Sequence, residues 1–192
     1  MTRACAAAVW RSCDSPLGQF AVAAQAHALI AVVLPGLPRP QAVIELEKGE
    51  ERCRAEQLAA EACAQLTEYF AGERTYFTLP TDLVLTRGPF AARVQRTLGE
   101  IPYGQTRSYG QLAAMAGNPR AVRAVGSACA RNPIPIVLPC HRVLAARGAL
   151  GGYAGGLDMK KSTAAAGKAR GGWKSLRRPE RHGVAETGRS SQ

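Results

Sequence analysis

The stretch Gly117-Asn118-Pro119 limits what this chain can become more than any other. Glycine takes up the left-handed backbone that ends helices, and proline cannot continue one. Any helix before this point is therefore cut off from any helix after it. On one side, Ser108 stands where an N-cap is wanted, which predicts a short helix over 109–116. On the other side a second helix is expected over 120–131, stopped by Asn132-Pro133. Two short helices across a tight glycine-containing turn make a helix-turn-helix or, by spacing alone, an ordinary helical corner. Three features favour a nucleic-acid role. The second helix carries Arg120, Arg123 and Arg131. It is rich in small residues (Ala121, Ala124, Gly126, Ser127, Ala128), so a duplex can approach closely. Its N-terminus can offer backbone N–H groups to a phosphate.

Upstream the pattern changes character. Gly88-Pro89 opens a helical run in which Phe90, Val94 and Leu98 recur every fourth residue, and Ile101-Pro102-Tyr103-Gly104 closes it with a turn. Residues 8–12, 19–24 and 29–34 read as short strands, with a turn at Asp14-Ser15-Pro16-Leu17-Gly18 and His27 as a surface turn residue. Pro35-Gly36-Leu37-Pro38-Arg39-Pro40 is punctuation. A helix is expected over 53–71, with Leu58, Ala62, Leu66, Tyr69 and Phe70 near one face and Cys63 as a small core residue. A last strand over 75–79 ends at Pro80. The first half reads as an α/β scaffold holding no group arranged for chemistry. The expected organisation is an α/β domain over 1–80, a mostly α helix-turn-helix, winged-helix-like domain over 81–161, and a divergent, disordered basic tail over 162–192.

Charge sorts the same way. The net charge is +11. Residues 1–80 carry seven Lys/Arg and nine Asp/Glu, whereas residues 81–158 carry nine Arg and three acids. A middle section made basic by arginine alone points to phosphate and groove contacts. No run of 18 apolar residues exists, so no membrane span is expected. The N-terminus lacks the pattern of a secretory leader, and a cytoplasmic monomer is the expectation. The six cysteines include no CxxC pair, which speaks against a zinc ribbon and a thioredoxin-like site.

The chemistry concentrates at Pro139-Cys140-His141-Arg142-Val143, after an apolar run over 134–138 that reads as a strand. A cysteine attacks as thiolate, and an adjacent histidine can take its proton. On a regular strand, however, neighbouring side chains point to opposite faces. Either the backbone bends just after Pro139, or a water carries the proton between Cys140 and His141.

These residues, with Ile101-Pro102-Tyr103-Gly104, Ser108-Tyr109, Ala124-Val125-Gly126, Asn132-Pro133 and Gly152-Tyr153-Ala154-Gly155-Gly156-Leu157, resemble the O6-alkylguanine-DNA alkyltransferases. The resemblance covers roughly residues 9–160 and is densest over 88–158. It implies a small RNase H-like antiparallel sheet plus helix in the first half. It also implies irreversible transfer of an alkyl group from O6 of guanine, flipped out of double-stranded DNA, to Cys140; O4-alkylthymine is a second base that pocket width would admit or exclude. No cofactor and no metal are expected, since Cys5 alone does not make the zinc site of some relatives. By resemblance Arg123 fills the gap in the base stack. Ser108, Arg120, Ala121 and Arg131 contact DNA, and Tyr109 contacts the phosphate and the base. Asn132 braces the turn before the cysteine, and His141 activates Cys140 through a water. Cys129, Val143, Tyr153, Ala154 and Gly155 line the pocket.

The chain departs from the family pattern at one place. The family has a glutamate that orients the histidine ten residues past the Gly-Gly-Leu motif. That position is Gly167 here, within Ser162-Thr163-Ala164-Ala165-Ala166-Gly167. The departure implies slowed transfer, with a lesion-binding protein of little transfer activity as the alternative. A helix-turn-helix regulator and a cysteine hydrolase are further readings. For the first, 192 residues are expected to leave no room for a regulatory domain; the second lacks an orienting residue and leaves the arginines unexplained.

Overall fold

In the computed structural model the residues described are 6–145, with Ala149 and Gly156. The expectations placed on Tyr153, Ala154, Gly155, Gly167 and the tail over 162–192 lie outside them.

Four strands come first: β1 (Ala6–Cys13), β2 (Phe20–Ala24), β3 (Leu29–Val33) and β4 (Val43–Glu45). They form one sheet in the order β3-β2-β1-β4. The turn at Asp14 to Gly18 folds β1 and β2 into an antiparallel pair, Val9 opposite Ala24 through Cys13 opposite Phe20. β4 runs parallel to β1. It was not foreseen: three residues after a proline-rich stretch carry too little pattern to read. The 75–79 segment is a correction as well. It forms no strand; the sheet edge is instead met by Pro80 to Asp82, where Leu29 N–H donates to the Pro80 carbonyl (2.8 Å) and Asp82 N–H to the Leu29 carbonyl (3.0 Å). His27 is exposed, as expected.

One sheet face is covered by α1 (Glu50–Ala71). Ala55, Leu58, Ala59, Ala62, Cys63, Leu66 and Tyr69 are all buried, the three-to-four spacing of an amphipathic helix. Each fully buried large apolar side chain here contributes about 1.5–3 kcal/mol, so Leu66→Asp in the middle of this face would break it. Gly72, at φ 76°, ends the helix, and Glu73 N–H donates to the Glu68 carbonyl at 2.9 Å. That left-handed position costs glycine nothing.

The second half holds α2 (Pro89–Leu98), α3 (Tyr109–Met115) and α4 (Val122–Ala130). Ser108 caps α3 in a full capping box: it accepts from Gln111 N–H, and its own N–H donates to the Gln111 side chain. Gly117 (φ +78°) ends the helix, with Asn118 N–H donating to the Ala113 carbonyl. The helix-turn-helix expected from Gly117-Asn118-Pro119 is therefore present. α4 is shorter than the 120–131 reading, because Arg120 lies in the turn before it and Arg131 caps its end.

The two halves share one interior. A single buried cluster runs from Phe20 and Leu34 through Leu66 and Tyr69 to Leu98, Ile134, Cys140 and Val143. A backbone hydrogen bond from Val32 N–H to the Pro133 carbonyl (2.8 Å) ties the sheet edge to the segment that leads to the cysteine.

Candidate active site

The segment between α4 and Cys140 is not the strand expected over 134–138. It turns back on itself: Leu138 N–H donates to the Ile134 carbonyl at 2.9 Å, and Ile136 sits at φ 76°. A buried β-branched residue in left-handed backbone costs on the order of 1–3 kcal/mol. Surrounding contacts must hold it, and the side chain of Asn132 supplies them. Its Nδ2 donates to the Leu138 carbonyl (2.8 Å) and to Cys140 Sγ (3.3 Å), while its Oδ1 accepts from Ile134 N–H (3.1 Å). One residue thus closes the turn and points a donor at the sulfur. An N–H aimed at sulfur favours the thiolate, which accepts, over the thiol.

Pro139, at φ −81° and ψ 65°, forms a tight three-residue turn in which Cys140 N–H donates to the Leu138 carbonyl at 2.8 Å. The backbone then enters a 3-10 turn over Cys140–Arg142. The bend after Pro139 is therefore real. Successive side chains now diverge by about 120°, as in any 3-10 turn, not by the half-turn of a strand. Cys140 and His141 are both buried.

After the 3-10 turn comes β6 (Val143–Leu144), paired in parallel with β5 (Arg107–Ser108). Ser108 is also the cap of α3, so this short ladder fixes Tyr109 against the cysteine segment. Tyr109 is half-buried. Burial pushes its phenol above the usual tyrosine range, and negative charge at the neighbouring Cys129 and Cys140 pushes the same way. At neutral pH it is a proton-bearing donor.

A cavity of about 150 Å³ is lined by Cys140, Cys129, Asn132 and Pro135 from one half and by Val32 to Leu34, Leu37 and Pro38 from the other. Val143 is fully buried in β6. The first half, read as holding no group arranged for chemistry, thus supplies a wall. It also supplies a polar contact: Tyr69 Oη lies 3.2 Å from His141 Nε2. This corrects the scaffold reading. A signal existed in the sequence, since a tyrosine on an otherwise apolar helix face must find a partner for its hydroxyl. Gln95 was also missed. Buried in α2, it donates to the carbonyls of Ala128 (3.1 Å) and Arg131 (3.4 Å) and accepts from Thr86 Oγ1 (2.5 Å), which fastens the end of α4.

On α4, Val125, Ala128 and Cys129 face inward, leaving Arg123, Ala124 and Ser127 exposed on the outer side. Arg120 is exposed and Ala121 half-buried at the start of the helix. Arg131 lies at the other end, on a separate cavity of about 450 Å³ that Arg87 also lines. Among the described residues every salt bridge lies within residues 45–74, so these arginines stand outside ion pairs and are available to an anion.

Comparison with known proteins agrees in both halves. Residues 8–83 match the family model "6-O-methylguanine DNA methyltransferase, ribonuclease-like domain". Residues 89–168 match "6-O-methylguanine DNA methyltransferase, DNA binding domain". The methylated-DNA–protein-cysteine methyltransferase of Mycobacterium leprae is 43% identical over 155 residues, covering 78% of this chain and 86% of its own. That of Mycobacterium bovis is 40% identical over 159 residues, covering 80% and 88%. The crystal structure of Mycobacterium tuberculosis OGT in complex with DNA superimposes with a TM-score of 0.72 at 37% identity, covering 84% of this chain and 93% of that one.

Proposed function

Because this chain belongs to the methylated-DNA–protein-cysteine methyltransferase family, we propose that it repairs alkylated DNA directly, moving the alkyl group from O6 of guanine to Sγ of Cys140 once per molecule. The observation that carries this reading is the Asn132 donor on Cys140 Sγ at 3.3 Å, beside a cavity that the same two residues line. In the transfer, the Sγ–carbon bond forms as the carbon–O6 bond breaks. The electron pair goes to the purine, which ends as ordinary guanine after gaining one proton. The thiol proton goes to His141, directly or through a water, and Tyr109 is the donor that meets the developing charge on the base.

The base must leave the duplex to reach a sulfur this deeply buried. Arg123, on the outer face of α4, fills the gap, and Arg120, Ala121, Ser108 and Arg131 hold the backbone. By the family resemblance the pocket residues are Cys129 and Val143, together with Tyr153, Ala154 and Gly155, which lie outside the described residues. The protein acts as a monomer on double-stranded DNA in the cytoplasm, and the cavity's width decides whether O4-alkylthymine is taken as well as O6-alkylguanine. Among the described residues no helix is long and apolar enough to cross a membrane.

The test is intact-protein mass spectrometry after incubation with a duplex holding one O6-methylguanine. One methyl on the wild type and none on Cys140→Ser supports repair. Unchanged mass with a retained gel shift supports the alternative, a lesion-binding protein, which Gly167 favours. Gly167→Glu separates the two further: faster transfer is expected in that variant.

A further inference from the structure

Cys13 is the last residue of β1 and stands in register opposite Phe20. Directly opposed residues of a sheet point to the same face, and Phe20 lies in the buried cluster that α1 covers. Cys13 therefore points at α1, and it packs against that cluster half-buried. Cys63 is buried on the facing side of α1, between Ala62 and Leu66. Both are free thiols, and they share a hydrogen bond. That bond draws Cys63 below the usual thiol range; burial opposes the shift, and the charge of Arg11 assists it. The same bond pushes Cys13 up, and its burial adds to this. One proton, held by Cys13, thus serves two sulfurs. Neither residue lines the cavity at Cys140.

Two sulfurs in hydrogen-bond contact need little movement to reach bonding distance. We propose that Cys13 and Cys63 are a redox-active dithiol, separate from Cys140, that hydrogen peroxide closes to a disulfide joining β1 to α1. The Cys63 thiolate attacks the peroxide: a sulfur–oxygen bond forms, the oxygen–oxygen bond breaks, and the departing hydroxide takes the Cys13 proton and leaves as water. The Cys13 sulfur then attacks the sulfenic sulfur of Cys63. The sulfur–sulfur bond forms, the sulfur–oxygen bond breaks, and the second hydroxide takes up the proton that Cys63 had released. Two thiols and one peroxide give one disulfide and two waters, with both electrons passing from sulfur to peroxide oxygen. A water-sized oxidant reaches the pair from the half-buried Cys13 side. The product closes a loop of roughly 50 residues, which stabilises mainly by restraining the unfolded chain.

The experiment needs no DNA. The full chain is treated with one equivalent of hydrogen peroxide, its remaining thiols are capped with N-ethylmaleimide, and a tryptic digest is mapped without reduction. Trypsin cuts after Arg54, so the Cys63 peptide is released apart from exposed Cys53. The expected result is one linked pair, the Cys13 peptide with the Cys63 peptide, two hydrogens lighter than their sum, while Cys53 is still capped as a thiol. Recovery of Cys13 and Cys63 as capped thiols after Cys53 has been oxidised overturns the proposal, and so does a link from either one to a different cysteine. Scanning fluorimetry gives a second reading. The Tm of the treated protein should rise by about 5–10 °C and return with dithiothreitol. Cys13→Ser, at a half-buried position, should show no rise; a rise equal to that of the wild type sinks the idea. All of these readings are made on protein that has met no lesion, so they stand apart from whether Cys140 accepts an alkyl group.

Discussion

Asn132→Ala tests the central geometry of the site. The substitution deletes three hydrogen bonds at once: to the Leu138 carbonyl, to Cys140 Sγ and from Ile134 N–H. The two backbone bonds close the turn that holds Ile136 at φ 76°. At about 1 kcal/mol net for each neutral bond, and more where a buried group is left unpaired, the loss is about 2–3 kcal/mol. For a chain of this size that lowers Tm by roughly 5–10 °C. The bond to sulfur acts on the chemistry instead. A donor to the thiolate is worth about 1.5–3 kcal/mol, so alkylation of Cys140 should slow about 10- to 100-fold. Two assays separate the effects: differential scanning fluorimetry for stability, and the rate at which a small haloacetamide labels Cys140, read by peptide mass spectrometry. Asn132→Asp sharpens the comparison. It keeps an oxygen for Ile134 N–H but sets a negative charge against the sulfur, so its labelling rate should fall below that of Asn132→Ala. If Asn132→Ala melts with the wild type and labels at the wild-type rate, Asn132 neither closes the turn nor acts on the sulfur, and the account of the site is wrong.

Arg123→Ala should leave unfolding stability within about 0.5 kcal/mol of wild type, as for most exposed positions. It should slow methyl transfer from duplex DNA while leaving transfer from a free O6-alkylguanine base unchanged, and equal slowing of both would remove Arg123 from base flipping. Gln95→Ala exposes the Ala128 and Arg131 carbonyls and Thr86 to an empty site, and urea unfolding should show a loss of about 2–3 kcal/mol. The alkaline limb of stability has a definite sign. Tyr69 and Tyr109 are raised in the folded state above the usual value of 10.0, so above that pH the unfolded chain releases protons first. The contribution of these two tyrosines to stability should be flat up to about pH 10 and decline beyond it. Tyr69→Phe should decline less steeply in the same melting series, and an identical decline would show that Tyr69 does not contribute to it.

The parts of this molecule written in local chemistry were legible before the structure. Ser108 as a cap and Gly117 as a stop are decided by backbone hydrogen bonds within a few residues, and both stand where expected. The face of α1 follows from spacing alone. The 134–138 segment was misread because its apolar residues have the composition of a strand, while the side chain that folds it back, Asn132, lies outside the window. The 75–79 segment failed for a related reason: whether an extended stretch pairs depends on which edge it meets, and Pro80 to Asp82 meet Leu29 first. Cys140 stands out in the sequence through Pro-Cys-His-Arg. Tyr69, Gln95 and the Val32 to Leu34 wall were not, because each becomes part of the site only through contacts more than thirty residues away in sequence.

The boundary between the halves has a practical meaning. The two family models abut near residue 85, as though the chain were two interchangeable cassettes. Yet the buried cluster, the wall of the cavity beside Cys140 and the hydroxyl on His141 all cross that line. A first half grafted from a distant relative, or deleted, would leave a helix-turn-helix still equipped to grip DNA but with its histidine unsupported and its sulfur open to water. The halves can be told apart by sequence, but they fold around one shared interior.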